Sequence, residues 1–257
     1  KNLIQKIEKR NIINKFDNTQ KLIIIYGILY FLDSIHRNYK MHGRLMASNV
    51  LLDSNFNPYI SDYYLCQLNT IGLFTESNCK MIDYIISMPP EILTSDSTNT
   101  YCQKSDIYSF GIILLQILTQ RINVYSDISD NSETIKTLKI IGVKPLMEKT
   151  NKSKLENYLY DIINRCLEPK PNDRPTAHDI MIIINSIIQN EQEYDKQRFQ
   201  QFLSSLKKNA NDDKNGIDNY YPKDDPFFKQ ENPDIKNKKG FILTDGEIKI
   251  LKRIYYY

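Results

Sequence analysis

Several features that would point directly to a function are missing from this sequence of 257 residues. It contains only four cysteines, and no pair of them is spaced as C-x-x-C. This pattern predicts neither a zinc cluster nor a disulfide framework, and it favours a reducing, cytoplasmic location. The cysteines are Cys66, Cys79, Cys102 and Cys166.

Long apolar runs and a strong excess of charge of one sign are also missing. No apolar run approaches the roughly 18 residues that span a bilayer, and residues 1–9 lack the apolar core of a signal peptide. The formal net charge is only +3, whereas nucleic-acid-binding proteins concentrate basic side chains on one face. We therefore expect no nucleic-acid partner and no membrane partner.

The first half of the chain predicts helices and a small β-ribbon. The sequence has no initiating Met and opens within a predicted amphipathic helix over residues 1–10, so we expect it to be part of a longer protein. Asp17 and Gln20 form a capping-box pattern before a helix that should end near His36. Two short strands should follow, at 50–52 and 59–60, joined by a polar turn.

The middle of the chain is predicted to be mainly helical. Residues 67–88 show little periodicity, which predicts a long surface loop. Residues 106–120 are apolar nearly all round, which is typical of a buried central helix. Residues 155–166 and 177–188 carry apolar residues at intervals of three and four, so each should form a further helix.

The composition changes near residue 190, and this change predicts a domain boundary. Residues 191–240 are rich in Lys, Asp, Asn, Gln and Glu, which predicts a mostly disordered polar linker. Thr244 and Glu247 then form a second capping-box pattern, so residues 241–257 should begin a further helical region. The predicted organisation is one domain over 1–190, a linker, and the start of another helix.

Two motifs near the predicted ribbon carry the first functional signal. Residues 42–52 read HGRLMASNVLL, and residues 60–65 read ISDYYL. The first resembles the catalytic loop H-R-D-L-x-x-x-N of protein kinases, and the second resembles the D-F-G motif at that family's spacing. Residues 88–91, MPPE, stand where the family has A-P-E.

Two later motifs extend this resemblance. Residues 104–111, KSDIYSFG, resemble the signature of the family's central helix, and Arg174 matches the arginine that pairs with the A-P-E glutamate, here Glu91. Residues 1–190 therefore resemble the C-terminal lobe of the protein kinase superfamily, and they are most similar to tyrosine-kinase-like members. The resemblance implies a mainly α lobe with a small β-ribbon, and the N-terminal lobe is absent from the chain.

The resemblance also implies structural roles for four residues. Glu91 and Arg174 should form a structural ion pair, because a buried charge needs a partner. Asp106 should cap the central helix and tether the backbone of the catalytic loop. His42 should be a core histidine that bonds the backbone rather than a catalytic base.

Departures from the family pattern fall on the residues that do the chemistry. Arg44 occupies the position of the catalytic aspartate, which accepts the proton of the substrate hydroxyl. A guanidinium stays protonated and has no acceptor, so it cannot take that role. Met46 replaces the lysine that screens the transferring phosphate, Gly43 replaces the loop arginine, and Tyr64 replaces the D-F-G glycine. No catalytic residue is therefore predicted.

Remnants of a nucleotide site remain in the pattern. Asn49 and Asp62 match the residues whose oxygens hold magnesium, but each can equally be a loop residue that bonds nearby backbone. Leu51 matches the floor of the adenine pocket. Because the Gly-rich loop and the lysine strand would precede this chain, we expect no cofactor here, although ATP and magnesium are possible for the full-length protein.

These observations leave functions of different classes open. The first is an inactive pseudokinase that binds other proteins of a signalling assembly as a regulatory or scaffolding module. The second is an atypical active kinase that transfers the ATP γ-phosphate to protein Ser/Thr or Tyr with an unusual loop. A third is that the lobe mainly presents the tail that follows it.

Overall fold

The first part of the fold consists of two helices and a β-ribbon. α1 spans Leu3–Arg10 and α2 spans Asn18–Arg37. Asp17 caps α2, because its side chain accepts a hydrogen bond from the Gln20 backbone at 2.7 Å while the Gln20 side chain accepts one from the Asp17 backbone at 3.2 Å. The capping box predicted from the sequence is therefore confirmed.

The β-ribbon follows a turn of 3-10 helix at Ala47–Asn49. β1 spans Val50–Leu52 and pairs antiparallel with β2 at Pro58–Ile60. Leu51 lies opposite Tyr59 in the register. This pairing confirms the predicted ribbon and brings the residues just before β1 close to those just after β2.

The computed structural model describes residues 1–10, 16–63, 81–94, 101–147 and 153–212. Cys66, Cys79 and Tyr64 lie outside the described residues. The same holds for the part of the predicted linker beyond residue 212 and for the helix predicted within 241–257. None of the described helices is long and apolar enough to cross a membrane.

The central helix, α5, spans Gln103–Thr119, and every residue from 105 to 117 is buried. It packs against α2 and against α7, which spans Lys154–Cys166. Gly111 permits the contact with α7, because a Cβ added there would lie 2.7 Å from the Cys166 Cβ. The prediction of a buried central helix is confirmed.

Three shorter helices belong to this part of the fold, and one of them corrects a prediction. α3 spans Met81–Ser87, α4 spans Pro90–Leu93 and α6 spans Ser132–Ile140. The expectation of a loop over 67–88 is wrong for residues 81–87, because α3 buries part of its length against α5 and α6. A helix of seven residues gives too short a periodic signal to be recognised without those contacts.

The last described helices extend the domain beyond the predicted boundary. α8 spans Ala177–Asn190 and packs on α2. α9 spans Lys196–Asp212, although residues 191–240 were expected to be a linker. Its first turns belong to the compact unit of residues 1–202. Phe199 and Phe202 are buried there. These two apolar side chains attach the helix to the domain although its composition is otherwise polar.

Candidate functional site

Asp106 holds the backbone of the loop that resembles the kinase catalytic loop. Its Oδ2 accepts a hydrogen bond from the His42 backbone N–H, and its Oδ1 accepts one from the Gly43 N–H, both at 2.7 Å. His36 Nε2 lies 3.0 Å from Oδ2. The predicted tether is thus present, but the prediction that Asp106 caps the central helix is wrong, because the N-cap residue is Cys102 and the carboxylate is turned toward the loop.

His42 is a buried residue that uses both ring nitrogens for backbone contacts. Its Nε2 lies 3.0 Å from the Ser61 carbonyl, and its Nδ1 lies 3.1 Å from the Arg44 N–H. Because a backbone N–H can only donate, Nδ1 must accept and the proton must sit on Nε2. Burial lowers the pKa of His42, although the Asp106 carboxylate opposes this effect. These contacts place His42 in a structural role.

Arg44 occupies a loop whose backbone is fixed on both sides. Its N–H donates to His42 Nδ1, and its carbonyl accepts from Asn49 Nδ2 at 3.0 Å. Gly43 has a φ of 71°, a left-handed conformation that suits glycine. The Nε of Arg44 is buried and has no hydrogen-bond partner among the described residues. The loop thus presents a cation where the family has a carboxylate.

Met46 and Asn49 complete this loop. Met46 is only 2% exposed, so an uncharged side chain is buried at the position where the family has a phosphate-screening lysine. Asn49 is also buried, and its Nδ2 is engaged with the Arg44 carbonyl. The amide of Asn49 therefore braces the loop through Nδ2, while its Oδ1 lies 3.5 Å from the Ser48 hydroxyl.

The two candidate magnesium ligands lie at the same end of the ribbon. Asn49 immediately precedes β1, Asp62 follows β2 by two residues, and the Ser61 N–H donates to the Asn49 carbonyl at 2.9 Å. Asp62 is half-buried with a φ of 62°. Oxygen atoms of an amide and a carboxylate fit the preferences of magnesium. Among the described residues, no group of three or more His, Cys, Asp or Glu side chains could hold a metal.

The remaining ribbon residues divide between the surface and the core. Leu51, which matches the adenine-pocket floor, is 42% exposed on the outer side of β1. Tyr63 is buried, and its ring packs edge-on against Phe31 at 5.7 Å and against His42 at 6.0 Å between centroids. The residue that replaces the D-F-G phenylalanine is thus part of the core.

Glu91 and Arg174 form the predicted salt bridge, and it is bidentate. The Arg174 guanidinium donates to the two Glu91 carboxylate oxygens at 2.8 and 2.7 Å, and Ser105 Oγ donates to Glu91 at 3.0 Å. The Arg174 side chain is fully buried. It also donates to three backbone carbonyls, so all its hydrogen-bonding directions are used and the buried charge is compensated.

Lys139 is an important buried charge that the sequence reasoning missed. Its Nζ donates to the carbonyls of Ile85, Ile86 and Met88 at 2.7, 2.6 and 2.5 Å. Burial lowers the pKa of Lys139 well below its usual value. The signal in the sequence is weak, since it is a single lysine among apolar residues near the end of α6. Only the structure reveals that it binds the end of α3.

Helical packing around α5, the braced loop and the buried ion pair together define a C-terminal lobe of protein-kinase type. Comparison with known families agrees, because the protein kinase domain profile matches residues 2–183, which is more than half of the chain. This chain belongs to the protein kinase family.

Its relatives include kinases of plants. Cysteine-rich receptor-like protein kinase 10 of Oryza sativa subsp. japonica is 31% identical over 191 residues, which cover 68% of this chain and 28% of that protein. Cysteine-rich receptor-like protein kinase 24 of Arabidopsis thaliana is 28% identical over 187 residues, 67% of this chain and 29% of that protein. The chain thus spans less than a third of their length. Membership of the tyrosine-kinase-like subgroup stays a prediction.

Proposed function

We propose that this chain is the C-terminal lobe of a pseudokinase, which acts as a regulatory or scaffolding module for other proteins of a cytoplasmic signalling assembly. The observation that carries the proposal is Arg44. It lies at the catalytic aspartate position of a loop whose backbone is still held by Asp106, His42 and Asn49. The scaffold is retained while the reacting group is replaced.

The chemistry of phosphoryl transfer explains why this replacement matters. The loop aspartate orients the substrate hydroxyl and accepts its proton. Guanidinium groups carry only donors and stay protonated in proteins, so an arginine at this position can neither accept the proton nor orient the hydroxyl through a lone pair. Since the loop backbone is fixed around Arg44, another side chain of the loop has little freedom to take its place.

Met46 removes a second contribution. In the family, a lysine at this position balances the negative charge of the phosphate as it transfers, and electrostatic stabilisation of this kind is usually the largest catalytic effect. The thioether of Met46 carries no charge and is buried. The proton acceptor and the phosphate screen are therefore both missing from the loop.

A specific observation favours the alternative, an atypical active kinase that phosphorylates protein Ser/Thr or Tyr. Asn49 Oδ1 and the Asp62 carboxylate lie at the same end of the ribbon and are oxygen ligands that suit magnesium. Phosphoryl transfer depends mainly on positioning and electrostatics. A magnesium ion held by these two residues would neutralise phosphate charge and so support some transfer. In the family, ATP binding also needs a Gly-rich loop and the lysine of strand β3.

A radiolabelled-phosphate transfer assay on the full-length protein separates the two functions. We expect no transfer above background, and we expect Arg44→Asp alone to recover little because base and phosphate screen act as a unit with strongly non-additive effects. Adding Met46→Lys to Arg44→Asp should recover more than either change alone. Robust transfer by the unmodified protein that disappears in Asp62→Ala would establish a working metal site and refute the pseudokinase proposal.

A further inference from the structure

Tyr39 is the most exposed large apolar or aromatic side chain in the described part of the chain. It lies just after α2, in a turn of exposed residues at 37–40 that we call the Tyr39 turn. Its exposed fraction is 96%, whereas no other side chain in this group exceeds 69%. Packing within the described fold therefore does not account for a tyrosine at this position.

The backbone of the turn also disfavours a tyrosine. The Tyr39 N–H donates to the His36 carbonyl at 3.0 Å and the Lys40 N–H donates to the Ile35 carbonyl at 3.1 Å, which are the two bonds of a Schellman motif. Tyr39 is the left-handed residue of this motif, with a φ of 57°. Glycine is usual there, because a Cβ is strained in the left-handed region. The turn thus keeps an aromatic side chain at a cost in backbone strain.

The Tyr39 turn is held firmly on both sides. Gln103 Nε2, at the start of α5, donates to the His36 carbonyl at 2.8 Å and to the Lys40 carbonyl at 3.2 Å. A partner that contacts the ring would therefore order little additional backbone on binding, which limits the entropy lost. Tyrosine offers a large contact area with only two side-chain torsions and is enriched among the residues that dominate protein interfaces.

Basic side chains flank the ring. Lys40 is exposed and forms no salt bridge with the described residues. Arg37 pairs with Asp33 at 2.6 Å, yet its side chain is 63% exposed and still borders solvent. Residues 34–41 include no carboxylate. A surface that carries carboxylates would therefore complement the charge around Tyr39.

We propose that the Tyr39 turn is a docking site for a protein partner that receives the Tyr39 ring in an apolar pocket with carboxylates at its rim. The ring supplies the apolar contact, its hydroxyl reaches the polar rim, and Lys40 and Arg37 pair with the carboxylates. A nucleic acid would need a wider basic surface than these two side chains provide. This inference goes beyond the proposed function, because the turn can bind a partner whether or not the lobe transfers phosphate.

Site-specific photocrosslinking in the full-length protein tests this inference. The photoreactive residue p-benzoylphenylalanine replaces Tyr39, the cells that naturally contain the protein are irradiated, and mass spectrometry identifies the crosslinked segment. We expect a protein adduct at a segment that combines apolar residues with Asp or Glu. The same probe in place of Tyr158, which is 39% exposed on α7, should not give this adduct. The absence of an adduct specific to position 39, or an adduct with nucleic acid or lipid, would overturn the inference.

Affinity measurements with the captured partner show whether Tyr39 anchors it. Tyr39→Asn suits the left-handed backbone but lacks the ring, so it should weaken binding at least about tenfold, as loss of a dominant interface tyrosine does. Lys40→Glu should also weaken binding, and added salt should weaken binding of the wild type. Tyr158→Asn is the matched control and should bind as the wild type does. Wild-type affinity in Tyr39→Asn would rule out the docking site.

Urea unfolding separates lost recognition from lost folding. Tyr39→Asn should not lower the urea midpoint, because it relieves strain and removes nothing from the core. A lower midpoint would show that the ring stabilises the fold, and this result would count against the inference. The phosphotransfer assay reports on Arg44 and Asp62 and not on the Tyr39 turn. Failure of the docking site therefore leaves the pseudokinase proposal intact, and failure of that proposal leaves the docking site intact.

Discussion

His42 connects the loop to the ribbon through both ring nitrogens, and this arrangement requires a neutral imidazole. Nδ1 accepts from the Arg44 N–H and Nε2 donates to the Ser61 carbonyl. A proton added to Nδ1 would turn this nitrogen into a donor that faces the N–H donor of Arg44. It would also place a positive charge inside the core. The geometry of a single side chain thus makes the loop sensitive to acid.

Acidification should therefore destabilise the protein through His42. Burial lowers the pKa of His42 below 6.5, so between the folded-state pKa and about pH 6.5 the unfolded chain binds a proton that the folded chain does not. The free energy of unfolding should then fall by up to about 1.4 kcal/mol per pH unit as the pH drops through this window. Above about pH 6.5, the neutral His42 ring contributes its full stabilisation to the folded state. Urea unfolding at pH 7.5, 6.5 and 5.5 measures the slope, with these pH values set around the roughly 6.5 of an ordinary histidine.

The matched control for this prediction is another histidine. His178→Gln removes an imidazole from a largely exposed position at the start of α8, where Nδ1 lies 3.5 Å from an Asp33 carboxylate oxygen, and serves as the comparison. His42→Gln should lose the part of the slope that comes from the buried ring. An identical slope in wild type and His42→Gln would contradict the assignment.

Single residues also mark where sequence reasoning succeeds and where it stops. The motif around Arg44 could be recognised because its spacing is local, and the partners Glu91 and Arg174 followed from the family pattern. The role of Lys139 could not be predicted from the sequence. Its acceptors are backbone carbonyls more than 50 positions away, and every residue has such a carbonyl. A sequence pattern carries no information about which carbonyl is left unpaired at a helix end.

At the scale of elements, Lys139 joins α6 to the end of α3. The last carbonyls of a helix lack partners within the helix, and here the ammonium group supplies hydrogen bonds to Ile85, Ile86 and Met88. The Nζ also lies 4.9 Å from the centroid of the Tyr108 ring on α5. One side chain therefore links three helices.

Lys139→Met should loosen α3. The substitution keeps most of the apolar stem but leaves buried carbonyls without a donor, which costs about 1–3 kcal/mol for each group that water cannot reach. We expect a lower free energy of unfolding and faster amide hydrogen exchange over residues 81–88, measured by mass spectrometry. Lys136→Met, on the same helix, is the control and should change the free energy of unfolding by less than about 0.5 kcal/mol. Unchanged exchange in Lys139→Met would refute the role.

The same contacts explain which elements could be predicted. α2 and α5 are long and carry strong signals, a capping box in the first and an almost continuous apolar surface in the second. α3 is seven residues long and its stability comes from packing against other elements, as is common for short helices. Its presence therefore depends on residues far away in the sequence, and local periodicity could not reveal it.

At the scale of the whole molecule, the compact unit reaches residue 202 and not 190. The composition after residue 190 is polar, yet Phe199 is completely buried. Its ring lies 5.6 Å from that of Tyr26 on α2 and 5.6 Å from that of Tyr194, between centroids. Composition averaged over a long window hides such a residue, because two aromatic side chains can anchor a helix whose other positions are polar.

Phe199→Ala should therefore destabilise the lobe as a core substitution does. Loss of a buried phenylalanine costs about 3–5 kcal/mol, which combines lost apolar burial with the cavity left behind. We expect urea unfolding to retain a single transition with its midpoint moved to lower denaturant, because α9 and α2 unfold together. Gln197→Ala, an exposed position on the same helix, should leave the midpoint nearly unchanged. If Phe199→Ala instead melted α9 alone and left the main transition in place, the cooperative domain would end near residue 190, as the composition predicts.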